Sequence, residues 1–214
     1  MSKDCITQAF AQIGCTLSPI ELDRFDRLLE AFLQKNSQIN LSAIRTPEGV
    51  IEKHFADSAM LLDFIAPTGD WLDLGSGGGF PGLPLAILCP DVGFTLLDSV
   101  GKKTRATEEF IEVLDLPNAR AIWGRAEELG KKPDHAKLYN AVVSRATAYL
   151  PKLIAWAAPF IGPGGTLYAY KLYDDAEMTE GNAAAKSAGM GFVNAYPYML
   201  GNQERVIYEY KRIR

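Results

Sequence analysis

Residues 71–82 read Trp-Leu-Asp-Leu-Gly-Ser-Gly-Gly-Gly-Phe-Pro-Gly. An apolar strand carries a carboxylate at Asp73, breaks into a glycine turn, and restarts as a helix at Pro81-Gly82-Leu83. Glycines in such a turn let backbone amides approach a ligand closely. The segment therefore predicts a nucleotide-type site, and the acid decides which nucleotide. Two further strands end in the same manner. Phe94-Thr95-Leu96-Leu97 closes on Asp98, and Ala119–Trp123 runs into Gly124-Arg125-Ala126-Glu127.

Gly77, Gly79 and Gly82 satisfy the spacing G-x-G-x-x-G, which suits a dinucleotide pyrophosphate. A diphosphate wants bare amides and a helix dipole, with negative charge kept away. Asp73 stands just before the loop and would repel it. S-adenosylmethionine carries no phosphate but has a sulfonium and an ammonium group. A carboxylate suits those charges, directly or through water, so this cofactor fits better than a nicotinamide dinucleotide. The bland alternative for Asp73 is to hold the loop amides. Asp98 can accept two hydrogen bonds from ribose hydroxyls, a role that serves either nucleotide. Ala126 and Glu127 can flank an adenine, or Glu127 can simply favour a helix start.

These loops need a sheet to bring them together. Strand candidates lie at Asp70–Leu74, Gly93–Leu97, Ala119–Trp123, Tyr139–Val143, Thr166–Tyr170, Phe192–Leu200 and Arg205–Lys211. Helix candidates fall between them at Pro81–Leu88, Lys102–Leu114, Leu150–Ala158 and Asp175–Ser187. Alternation of this kind predicts an α/β fold with a mostly parallel seven-stranded sheet covered on both faces. The last two strands are separated by hairpin length and should be antiparallel. Residues 1–66 read as a helical extension, and 67–214 as the ligand-binding domain, with a turn at Pro67-Thr68-Gly69 between them. Ser18-Pro19-Ile20-Glu21 is a capping-box helix start. Leu22, Phe25, Leu28, Leu29, Phe32 and Leu33 then form an apolar stripe. His54–Ile65 should continue helical with Phe55, Ala59, Leu62 and Ile65 on one face. His54 and Asp57 share a helix face as a structural hydrogen-bonded pair.

Composition narrows the function classes. The 214 residues are 48% apolar and 22% charged, so the chain can bury a core. No apolar run is long enough to span a bilayer, and the first residues lack a signal-peptide pattern. Cys5, Cys15 and Cys89 are scattered, which argues for free thiols in a reducing cytoplasm and against a metal site. The net charge of −4 disfavours an extended nucleic-acid footprint. A local one survives, because residues 99–145 hold nine Lys or Arg against seven Asp or Glu. Lys102, Lys103, Arg105 and Lys171 are candidates for contact with an RNA backbone.

Six segments in order add a resemblance that covers most of the chain. They are Asn40-Leu41-Ser42-Ala43-Ile44-Arg45, His54-Phe55-Ala56-Asp57-Ser58, the loop at 72–82, Leu97-Asp98-Ser99-Val100-Gly101-Lys102-Lys103, Gly124-Arg125-Ala126-Glu127-Glu128, and Ser144-Arg145-Ala146. Together they resemble the ribosomal small-subunit methyltransferase G family. The resemblance implies a Rossmann-like class I methyltransferase fold. It implies transfer of a methyl group from S-adenosylmethionine to N7 of one guanine in 16S ribosomal RNA, presented as RNA or within a small-subunit particle. It also implies Gly75, Phe80, Ala126, Glu127 and Arg145 as cofactor contacts, beside Asp73, Gly77 and Asp98. The family usually has Leu-Lys-Gly at the end of the fifth strand, where this chain has Tyr170-Lys171-Leu172.

The residues are compatible with that chemistry. Guanine N7 carries no proton, so alignment replaces a general base. Ser144-Arg145-Ala146 is not the Asn-Pro-Pro-Tyr type used on exocyclic amines. Arg145 is the one catalytic candidate. It is expected on O6, phosphate or cofactor, because a cation close to N7 would oppose the charge that develops there. Ion pairing to an acid is its alternative role. Three other functions stay open: a small-molecule methyltransferase, a nicotinamide oxidoreductase, and a cofactor-sensing or assembly protein of the ribosome.

Overall fold

The computed structural model describes residues 2–213. Seven strands form one sheet: β1 Asp70–Leu74, β2 Gly93–Asp98, β3 Ala119–Trp123, β4 Tyr139–Arg145, β5 Ile161–Leu172, β6 Met190–Leu200 and β7 Gln203–Arg212. Their spatial order is β3-β2-β1-β4-β5-β7-β6. β1 to β5 are mutually parallel, and β7 runs antiparallel between β5 and β6. All seven expected strands are present, and the last two do form a hairpin. The strand order reverses between β1 and β4. That reversal opens a crevice beyond the carboxyl ends of the strands, where α/β sheets bind ligands.

The helices are α1 Ser2–Gln12, α2 Pro19–Ile39, α3 Pro47–Val50, α4 Asp57–Ala59, α5 Gly82–Leu88, α6 Gly101–Leu114, α7 Ala126–Leu129, α8 Leu150–Ala157 and α9 Asp175–Ser187. Ser18 caps α2 as its sequence demands. Its Oγ accepts the Glu21 N–H, and the Glu21 carboxylate accepts the Ser18 N–H. The stripe of α2 buries Phe25, Leu28, Leu29 and Phe32 in one cluster with Trp71 and Phe94 of the sheet and Phe110 of α6. Each such side chain stabilises by about 1.5–3 kcal/mol when fully buried. A second cluster, on the opposite sheet face, joins Leu72 and Val142 to Leu153 and Ile154 of α8. The extension thus packs on one face of the sheet while α8 covers the other. No helix among the described residues is long and apolar enough to cross a membrane.

The segment expected as one helix from His54 to Ile65 is broken into three windings. Ile51–Ala56 is π-helical, α4 follows, and Met60–Asp63 is a 3₁₀ turn. Widening and then tightening the coil shifts the register of side chains. Phe55 and Ala59 are buried as expected, but Leu61 rather than Leu62 fills the core. At Leu172, β5 simply continues, pairing Leu172 with Arg205 of β7. The chain needs no glycine there because no turn intervenes.

Candidate active site

The loop after β1 is folded around Asp73. This carboxyl is wholly buried beneath the loop, and its Oδ2 accepts the Gly82 N–H at 2.7 Å. A Cβ on Gly82 would lie 2.7 Å from that oxygen and 2.8 Å from Leu96 Cδ2, so only glycine closes the turn. Burial raises the Asp73 carboxyl to about 7, partly offset by the Gly82 hydrogen bond and by Arg145. Its Oδ1 and the buried Ser76 Oγ have no hydrogen-bond partner among the described residues. Gly75 adopts φ +77°, and a Cβ there would strike the Thr147 side chain. Asp98 holds the other side of the loop. Its Oδ2 accepts the Gly77 N–H and its Oδ1 the Val100 N–H, both at 2.8 Å.

Two hollows meet at this edge, with Gly75, Asp98, Thr147 and Trp156 as a common rim. The smaller, about 230 Å³, is lined by Leu97, Ala126, Glu127 and Lys152. The larger, about 560 Å³, is lined by Ser42, Lys53, His54, Ser76, Gly77, Phe80, Lys103, Arg145 and Arg205 among others. The ends of β1, β2 and β3, with Lys152 and Trp156 of α8, deliver the first set. The helical extension supplies Ser42, Lys53 and His54, closing the far wall.

That wall is tied together by Arg145. Its Nη1 donates to Asp57 Oδ2 at 2.7 Å and to the Lys53 carbonyl at 2.9 Å, and its Nη2 lies 2.9 Å from His54 Nδ1. Asp57 is fully buried and also accepts from Tyr198 and Arg205. Two cations and a hydroxyl thus compensate one buried carboxylate. His54 stacks on Phe80 with ring centroids 4.4 Å apart and planes 11° apart. Burial and the adjacent Arg145 charge push its pKa down to about 3, so the ring is neutral.

The structure brings Gly75, Gly77, Phe80, Asp98, Ala126, Glu127, Lys103 and Arg145 to the cleft. It places Asp73 under the loop rather than on the cleft wall. Lys102 and Arg105 lie exposed on α6. Lys171 is elsewhere engaged, because its Nζ pairs with Glu177 and donates to the Ala148 carbonyl, both at 2.5 Å, with the side chain mostly buried. In the fold its charge is met by Glu177, away from the cleft lining. The ion-pair alternative for Arg145 is what the structure shows. His54 and Asp57 do not bond to each other; Arg145 bridges them. Arg205, Tyr198, Lys152 and Trp156 escape sequence reading. Arg205 and Tyr198 lie in strands 148 and 141 residues from Asp57, and no local spacing announces the meeting. Trp156 merges into an apolar helix stripe.

A parallel sheet with an antiparallel β7, glycine loop after β1, acid after β2 and cleft at the β1/β4 reversal define a Rossmann-like class I S-adenosylmethionine-dependent methyltransferase fold. Solved structures agree. A SAM-dependent methyltransferase from Methanosarcina mazei superposes with a TM-score of 0.58 at 12% identity, covering 72% of this chain and 97% of its own. The YcgJ protein of Bacillus subtilis gives 0.59 at 11% identity over 75% and 100%. The family model for rRNA small subunit methyltransferase G (GidB) matches residues 21–207. A ribosomal RNA small subunit methyltransferase G from Deinococcus radiodurans is 37% identical over 92% of this chain and 79% of the relative. Another, from Carboxydothermus hydrogenoformans, is 34% identical over 96% and 89%. The chain belongs to the rRNA small subunit methyltransferase G family.

Proposed function

We propose that this enzyme methylates N7 of one guanine in 16S ribosomal RNA, in the cytoplasm, with S-adenosylmethionine as methyl donor. The observation that carries the reading is the paired hollow at the sheet edge. One compartment is floored by Asp98, Ala126 and Glu127, and the adjoining one is walled by Phe80, His54 and Arg145. The orphaned Ser76 Oγ beside the glycine loop, on the lining of the larger hollow, fits a hydrogen-bonding ligand. Asp98 would take the ribose hydroxyls on the lone pairs that Gly77 and Val100 leave free. Ala126 and Glu127 would flank the adenine, with Lys152 and Trp156 opposite.

When bound, S-adenosylmethionine would supply an electrophilic methyl group to the N7 lone pair, with its thioether as the leaving group. No proton leaves N7, so the site needs no base, and the neutral His54 is consistent with that. The chain's task is alignment. Phe80, held by His54 and Phe32, gives a rigid apolar wall. Arg145, anchored by Asp57, presents a fixed positive edge without lying loose against N7. The described helices up to residue 66 serve as the outer wall of the catalytic domain that begins at residue 67. Lys103, with Lys102 and Arg105 on the same helix, would meet the RNA backbone.

Transfer of labelled methyl to 16S RNA, to small-subunit particles and to free guanosine tests the reading. Label mapped to guanine N7 in one of the two RNA substrates is expected. Label on another atom, or on guanosine alone, would overturn it.

A further inference from the structure

The segment Asn40–Arg45, between α2 and α3, has no part in the cofactor cradle, yet it is held as tightly as one. Asn36 of α2, 1% exposed, clamps it from both sides. Its Nδ2 donates to the Ile44 carbonyl at 2.9 Å, and its Oδ1 accepts the Ser42 N–H at 2.8 Å. The clamp sets Ser42 on the wall of the larger hollow, beside His54 and Arg145.

The hydrogen bonds around Ser42 fix what its hydroxyl can do. The Ile44 N–H donates to Ser42 Oγ at 3.1 Å. His54 Nε2 lies 2.9 Å from the same oxygen, while His54 Nδ1 faces Arg145 Nη2 at 2.9 Å. A guanidinium has only donors, so Nδ1 must accept. The neutral ring therefore carries its proton on Nε2 and donates it to Ser42. Hydrogen bonds at both ring nitrogens set its orientation, and Phe80 stacks against its face. Both lone pairs of Ser42 Oγ are filled, and no oxygen of the described residues accepts its hydrogen. A serine ordinarily donates or accepts as its partner requires. This one can only donate.

We propose that Ser42 reads the target base by donating to O6 of guanine. This rests on the guanine-N7 reading above. On the edge that carries N7, guanine offers O6, an acceptor, where adenine offers an amino group, a donor. A serine free to switch roles would accept either base; the donor-only hydroxyl matches guanine and meets adenine donor to donor. It also suits the reaction, because an uncharged donor at O6 orients the base with less opposition to the positive charge growing on N7 than a cation would. Arg145 and His54 act through Ser42 as positioning residues, Arg145 choosing the tautomer and His54 relaying it.

The test pairs an enzyme substitution with a substrate substitution. Wild type, Ser42→Ala and Ser42→Thr are compared in single-turnover methyl transfer to 16S RNA in small-subunit particles. The particles carry either guanine or 2-aminopurine, which keeps N7 and lacks O6, at the mapped position. Loss of one base-edge hydrogen bond predicts roughly 3- to 30-fold slower transfer by Ser42→Ala on guanine. Near-wild-type rate for Ser42→Thr, unchanged S-adenosylmethionine affinity, and no difference between wild type and Ser42→Ala on 2-aminopurine are expected with it. Equal rates on guanine would overturn the proposal. So would a Ser42→Ala deficit that persists on 2-aminopurine, which is the signature of a purely structural role, or a matching loss of cofactor affinity. If wild type itself leaves no N7-methylguanine, the underlying reading fails instead, before any variant is compared.

Discussion

Arg145 Nη1 sits 2.7 Å from Asp57 Oδ2, joining residues 88 positions apart across the boundary between the helical extension and the sheet. The carboxylate is fully buried and the arginine side chain is 9% exposed. This pair couples folding of the extension to the shape of the cleft, because the same guanidinium sets His54.

Asp57→Ala leaves Arg145 and Arg205 facing a buried void with no counter-charge. Breaking one partner of a buried pair costs about 3–5 kcal/mol. Urea denaturation should show a loss of that size, with methyl transfer falling alongside. A loss below about 1 kcal/mol would mean that the two arginines find other partners.

Asp98→Ala should weaken S-adenosylmethionine binding by about 1.5–3 kcal/mol, the worth of hydrogen bonds to a charged group. The same change frees the Gly77 and Val100 amides, so a small loss of stability should accompany it. Calorimetry of cofactor binding decides; unchanged affinity would take Asp98 away from the ribose.

Asp73 gives a pH signature. Burial holds its carboxyl near 7, above the ordinary 3.8. Between those values the folded chain keeps a proton that the unfolded chain has released. Its contribution to stability is therefore present below about pH 4 and is lost as pH rises toward and through 7. Asp73→Asn removes that slope, so the variant should gain on wild type in denaturation midpoint between pH 5 and pH 8. A constant difference across that range would show that Asp73 titrates at an ordinary value in the fold.

Lys103 and Lys171 should separate cleanly. Lys103→Ala removes a cation from the cleft rim and should weaken RNA binding, reducing the salt dependence by about one phosphate contact. Lys171→Ala breaks a mostly buried pair with Glu177 and should lower thermal stability while leaving the RNA salt dependence alone. Filter binding across a salt series distinguishes them; the reverse pattern would place the RNA along β5 instead.

Much of this protein was legible in order along the chain. Strand positions, the capped start of α2, the glycine loop and the acids after β1 and β2 follow from periodicity and turn chemistry, which act over a few residues. The loops after successive parallel strands must converge, so the strand-end side of the cleft could be placed from sequence. The wall facing it could not. That wall depends on where Asp57, Arg145, Tyr198 and Arg205 meet, and these residues come from α4, β4 and the β6–β7 hairpin, far apart along the chain, so their polar groups make sense only together. The π turn at Ile51–Ala56, which shifts the side-chain register through this segment, leaves no periodic trace because backbone winding there answers to packing. Lys171 shows the same division from the other direction: its charge and its place at a strand end pointed toward RNA, and only the fold, by setting Glu177 2.5 Å away, turned it inward. Local sequence determines elements and loops because those forces are local. Burial of a charge is decided by what the tertiary structure brings to it, since a desolvated ion persists only beside its partner.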